Sequence, residues 1–137
     1  MKKISSVIIL TAIMLSSLGL SAQDSETPKK GSNPIEVYYF HYTHRCATCQ
    51  AVEAVTEKSL KELYPEKVKN GEIVFLSVNI EVESNQPLVE QFKVGGQTLI
   101  VTKNNKIEKD LTNKAFMFAR EQPGKLKAAI KKTVEEL

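Results

Sequence analysis

Cys46 and Cys49 are the chain's two cysteines, and they stand two residues apart where a strand-like run gives way to a helix-like one. Before them lies "IEVYYFHY", residues 35 to 42. Its β-branched and aromatic side chains predict a strand buried on both faces. After a short turn, "ATCQAVEAVTEKSLKELY", residues 47 to 64, predicts a helix. Val52, Val55, Leu60 and Leu63 approximate its apolar stripe, and Pro65 marks its end. The cysteines therefore open a helix. Free backbone N–H groups and the macrodipole at a helix start stabilise an anion, and a thiolate is one. The Cys46 thiol is expected to titrate below the free value of ~8.5, and Arg45 pushes the same way. Cys46, at the more exposed end, is the expected nucleophile. Cys49, one turn into the helix, is the expected resolving partner. The two-residue gap lets the sulfurs meet without reshaping the helix. A bare CxxC is a weak signal; between a strand and a helix of a βαβ pattern it is a stronger one.

The rest of the chain supplies such a pattern. "GEIVFLSVNI", residues 71 to 80, predicts a second strand, and "SNQPLVEQF", residues 84 to 92, a helix. Ser84 or Asn85 is placed to cap that helix, with Pro87 in its first turn. "QTLIVTK", residues 97 to 103, predicts a third strand. "NNK" turns the chain into a short fourth, "KIEKDL". From near Pro123, the stripe Leu126, Ile130, Val134 and Leu137 predicts an amphipathic last helix. Residues 112 to 121, "TNKAFMFARE", carry no clear period. The order is βαβαββα with at least one parallel crossover. This is an α/β fold: a central mixed sheet of about four strands flanked by helices on both faces.

The N-terminus reads as an address. Lys2 and Lys3 precede the apolar run "VIILTAIMLSSLGL", residues 7 to 20. The run suits a signal-peptide core better than a membrane span. Residues 1–22 are expected to be a signal peptide cleaved after Ala22, residues 23–34 a flexible leader, and residues 35–137 the domain. An uncleaved anchor is the alternative; either way the domain lies outside the cytoplasm, periplasmic or secreted. Of 19 Lys and Arg against 16 Asp and Glu, two basic residues leave with the signal, so the formal charge of +3 falls to near +1. Nothing here predicts nucleic-acid binding, or membrane binding after cleavage. Export also places the cysteines where a disulfide persists.

With these residues in view, "VYYFHYTHRCATCQ" resembles the strand, loop and active-site helix of thioredoxin-like proteins. "LVEQFKVGGQTLIVTKNNK" and "PGKLKAAIKKTVEEL" resemble their later segments, so the likeness covers residues 35 to 137. It implies a thioredoxin-like fold and thiol–disulfide exchange. Four departures stand out. Arg45 replaces the usual Trp before the first Cys. Phe40 stands at the position of the buried acid that accepts the second thiol's proton. Gln97 stands at that of the cis-proline which faces the disulfide and keeps metals off the thiols. Ala47 and Thr48 replace Gly-Pro between the cysteines and tune the redox potential. A narrower resemblance runs from Arg45 to Glu53. There the chain is similar to the small exported thioredoxin-like subunit of bacterial nitrophenyl-arsenical reduction and arsenical efflux, the ArsF-type family. That likeness implies electron transfer to a reductase subunit.

Other candidates carry two readings each. Glu53, one turn after Cys49, is placed to take the resolving thiol's proton or is simply a solvated helix residue. His44 tunes the local potential when protonated. His41, His44, Cys46 and Cys49 have the ligand types for zinc or a soft metal, whereas His41 as a strand-end residue has none of that role. Tyr42 borders the site. Gly95 and Gly96 either let a substrate backbone approach, with Gln97 beside it, or form a plain turn. The expected function is an exported thiol–disulfide oxidoreductase or electron relay with a protein redox partner, such as a membrane electron donor or reductase subunit. It needs no cofactor beyond its own redox-active disulfide: no phosphate-binding loop is present, and Gln50 stands where c-type haem attachment needs His. The alternatives are a soft-metal or arsenic-binding module, and a non-catalytic interaction domain with a structural disulfide.

Overall fold

A computed structural model describes residues 33–137. The expected signal peptide, and the leader as far as residue 32, lie outside the described residues. Four strands form one sheet in the order β2-β1-β3-β4. They are β1 (Ile35–His41), β2 (Ile73–Asn79), β3 (Thr98–Lys103) and β4 (Lys106–Asp110). β1 runs parallel to β2 and antiparallel to β3, and β3 is antiparallel to β4, so the sheet is mixed. The helices are α1 (Ala47–Leu63), α2 (Pro65–Lys69), α3 (Gln86–Gln91), α4 (Thr112–Phe118) and α5 (Pro123–Glu135).

β1 is buried from Glu36 to His41 because it is a central strand with a helical layer on each face. Val37 and Tyr39 point into the larger layer, with Val52 and Leu60 of α1, Ala115 of α4, and Leu126, Ile130 and Val134 of α5. Tyr38 and Phe40 point into the smaller layer, with Ile100 and Phe92, beside Leu88 and Val89 of α3. A strand with two buried faces shows a continuous apolar run rather than alternation, which is what residues 35 to 42 display. Asn104 and Asn105 turn β3 into β4 with φ of 53° and 60°, the left-handed geometry that asparagine tolerates in tight hairpins.

Three readings change in detail, and one gains a neighbour. The buried face of α1 runs through Cys49, Val52, Thr56, Ser59 and Leu60; Val55 and Leu63 sit at its margins, half-buried. α1 stops at Leu63, with Tyr64 as its C-cap just before Pro65, as expected; Pro65 then opens a separate short helix, α2, where a missing N–H costs nothing. Asn85 precedes α3, but its side chain does not cap it; Nδ2 donates to the Asn79 carbonyl at 2.9 Å. The unassigned residues 112 to 121 hold α4, whose buried face is the small pair Ala115 and Ala119.

Candidate active site

The cysteines join at the head of α1. Cys46 is the N-cap, with extended backbone (φ −72°, ψ 164°), and its Sγ accepts the Cys49 N–H at 3.2 Å. The Cys46 carbonyl accepts the Gln50 N–H at 3.0 Å, the first bond of the helix. A disulfide links Cys46 to Cys49, with Cα atoms 5.1 Å apart. Cys46 is exposed and Cys49 is 2% exposed, so one end of the disulfide is open while the other is covered. The first turn of α1 holds no acidic residue. An anion on Cys46 therefore meets oriented N–H groups with no carboxylate beside them in that turn.

Arg45 and Glu53 form a partly buried ion pair along this end of α1. Glu53 is thus neither a solvated helix residue nor a free carboxylate. The loop before the cysteines is tied to the chain after β2. The Thr43 N–H donates to Glu81 Oε2 at 2.6 Å, and Asn79 Nδ2 donates to Thr43 Oγ1 at 2.9 Å. The Glu81 N–H in turn donates to Asn79 Oδ1 at 2.9 Å. Hydrogen bonds from Thr43, its side chain first and then its N–H, hold the Glu81 carboxyl below its ordinary value, helped by the charge of His44.

Phe40 faces the α3 layer, stacked with Tyr38 at 5.7 Å between ring centroids. The strand face toward α1 presents Tyr39 and His41 instead, because alternate residues share a face. The buried Tyr39 hydroxyl has no hydrogen-bond partner, nor has Thr56 Oγ1. Burial pushes the Tyr39 hydroxyl up, and Arg45 opposes this in part. His41 is buried, and its Nδ1 lies 2.8 Å from the Tyr42 carbonyl; a carbonyl only accepts, so Nδ1 carries the proton. His44 is exposed. Among the described residues no three His, Cys, Asp or Glu side chains gather as a metal site, so His41 and His44 do not complete a clamp with the cysteines.

Tyr42 is exposed, and its hydroxyl would lie 3.5 Å from a Cβ on Gly96. Gly95 is open, with nothing within 4 Å of such a Cβ. Thr98 pairs with Phe40, which brings half-buried Gln97 to the cysteine end of the sheet. No peptide bond among the described residues is cis, that before Gln97 included. Thr48 is half-buried in the first turn of α1. Tyr42, Gly96 and Gln97 therefore adjoin one another, while Thr48 belongs to the helix start. A groove of about 220 Å³ lined by Leu60, Val68, Ile73 and Phe75 sits at the opposite end of the sheet. No described helix is long and apolar enough to cross a membrane.

Sequence reasoning passed over Thr43, Asn79 and Glu81. The available signal was polar residues just past a parallel strand, on the sheet edge where α/β sites gather.

A mixed four-stranded sheet between helices, with a disulfide-forming CxxC at the head of the first helix, is a thioredoxin-like fold. That combination suggests a role of the thiol–disulfide oxidoreductase type, and proteins of that fold generally act with protein partners. Among solved structures, the chain is similar to thioredoxin-2 of the malaria parasite, described as a component of its protein secretion machinery. Identity is 25% and the TM-score 0.51, over 75% of this chain and 86% of that one. A second structure, of a malarial protein, matches at 23% identity and a TM-score of 0.49, over 73% of this chain and 97% of the other. No protein-family model and no curated protein matches the chain.

Proposed function

We propose that the protein is an exported thiol–disulfide oxidoreductase or electron relay working through Cys46 and Cys49. One observation carries the reading: an exposed sulfur at the helix N-cap is bonded to a covered sulfur one turn inside. In the reduced form the Cys46 thiolate attacks one sulfur of a partner disulfide, and the other leaves as a thiolate. The Cys49 thiol gives up its proton and attacks Cys46 Sγ. The partner's second thiolate is then released, and the Cys46–Cys49 disulfide remains. Two electrons pass to the partner, and a donor must return them.

Tyr42, Gly96 and Gln97 are the proposed partner-facing residues. The open backbone at Gly95, next to Gly96, offers edge groups to an extended segment of the partner. His44, Arg45, Thr48 and Glu53 are the proposed tuning residues. Export rests on Lys2, Lys3 and the apolar run after them, which places the domain in a periplasm or beyond the cell. The narrower proposal is that the partner is a reductase subunit, as in the nitrophenyl-arsenical systems that residues 45 to 53 resemble.

Substitution of Cys49 by Ser stops resolution, so C49S is expected to accumulate a mixed disulfide with its partner in the cell envelope. C46S is expected to accumulate none. Equal trapping by both variants, or by neither, contradicts the reading.

A further inference from the structure

We propose that Arg45 and Glu53 form a charge clasp that holds the guanidinium away from Cys46 and so poises the cysteine pair to donate electrons. The inference rests on the exchange reading above and adds what biases the pair toward donating.

Cys46, Cys49 and Glu53 are spaced by three and four residues, which brings them to one face of α1. Arg45 stands immediately before Cys46 in the chain. Left to itself, its guanidinium would serve the nearest anion on that face, the Cys46 thiolate. Glu53 lies roughly 10 Å along the helix from Cys46 by axial rise. Its side chain leans back toward the N-terminus, as helical side chains do. Arg45 extends along the helix to meet it, and the two side chains are 28% and 24% exposed. Partial burial limits screening by water and salt, so the pair is firmer than an open surface bridge.

Reduction creates a second anion on this face. The Cys46 thiolate keeps the Cys49 N–H but must compete with Glu53 for one guanidinium. Glu53 therefore weakens the charge support of the thiolate by engaging Arg45. Stabilising the reduced form makes a dithiol couple more oxidising, and weakening that support makes it more reducing. The other titratable groups around the pair are Tyr39 and His41 from β1, His44 in the loop and Glu81 after β2. Tyr39 and His41 are buried, and Glu81 is engaged by Thr43, which leaves Glu53 as the group that holds Arg45.

In this role Glu53 is a positioning residue. A carboxylate engaged by Arg45 must give up its ion pair to accept the Cys49 proton, so the clasp also replaces the proton-acceptor reading of Glu53.

The test equilibrates the full domain with defined ratios of reduced and oxidised dithiothreitol. In each cycle the protein disulfide takes two electrons and two protons from the reagent's two thiols, which close to its cyclic disulfide. E53Q is expected to shift the equilibrium toward the protein dithiol by about three- to tenfold, or roughly 15 to 30 mV at about 30 mV per tenfold. It is also expected to move the pH profile of Cys46 alkylation to lower pH. R45A is expected to shift both the opposite way, and R45A/E53Q to show no effect of E53Q. R45K, which keeps the charge, should retain the response. An E53Q shift that persists without Arg45, or no shift at all, overturns the clasp and leaves exchange standing. A wild-type disulfide that never equilibrates with dithiothreitol overturns both. Matched thermal unfolding of the variants separates these outcomes from misfolding.

Discussion

The loop that presents Cys46 is held by three polar residues beyond the CxxC motif. Thr43 receives Asn79 Nδ2 on its hydroxyl and donates its N–H to Glu81. Both partners come from the end of β2 and the turn after it, so the loop is fastened to the sheet rather than to α1. The Glu81 carboxyl is held below its ordinary value of 4.5 by the bonds from Thr43. A group with a depressed folded value lends support above its unfolded value and loses it as pH falls through the folded one. Loop order is therefore expected to be complete above pH 4.5 and to fail below it. The protection factor of the Thr43 amide, taken against its intrinsic exchange rate at each pH, should fall as pH drops below 4.5 in the wild type and be low throughout in E81Q. Exchange at Thr43 that is unchanged in E81Q contradicts this. The same scale shows where sequence reasoning stops. The resemblance sets Phe40 at the position of a buried acid, but the layer that a strand residue faces is fixed only by the folded pleat, which turns Phe40 to the α3 layer and Tyr39 to the α1 layer.

At the level of elements, β1 and α5 were the most legible. A continuous run of β-branched and aromatic residues has one economical use, a strand with both faces covered. The stripe Leu126, Ile130 and Val134 recurs at four-residue spacing and is buried throughout. Ile130 is fully buried in the larger core layer, so Ile130→Ala is expected to cost about 2–5 kcal/mol in denaturant unfolding. The disulfide should remain intact in that variant. α4 was not legible because its buried face is alanine, which hydrophobic periodicity barely registers. The face of α1 was misjudged by one step because Thr56 and Ser59 are buried there, polar residues that a hydrophobic stripe omits. β1 also carries a pH response. The Tyr38 hydroxyl donates to Glu36 at 3.1 Å, and burial first, then the Glu36 charge, pushes its pKa from 10.0 up to about 12. A raised value means stability that is whole below pH 10 and lost as pH rises toward 12. Y38F should thus lose less stability than wild type between pH 8 and pH 11, although Tyr39 and Tyr64, also pushed up by burial, still contribute. Equal losses in the two proteins contradict the assignment.

For the whole molecule, the sheet and its helical layers serve mainly to bring three chain segments to one end. The head of α1 carries the sulfurs, the β2–α3 connection fastens the loop, and the start of β3 brings Gly96 and Gln97 alongside. The sulfur pair and the start of β3 were visible in the sequence because each follows or precedes a strong strand. The β2–α3 fastening was not, since it depends on strand order, and the parallel pairing of β1 with β2 exists only in the folded sheet. This geometry leaves Cys46 exposed at the helix N-cap and Cys49 covered one turn inside. Alkylation of the reduced protein with iodoacetamide across pH, read by mass spectrometry at each cysteine, tests that asymmetry directly. Rapid modification is predicted at Cys46 with an apparent pKa below the free value of ~8.5, while Cys49 resists. Equal rates at the two cysteines, with both titrating near the free value, contradict a helix-activated redox pair.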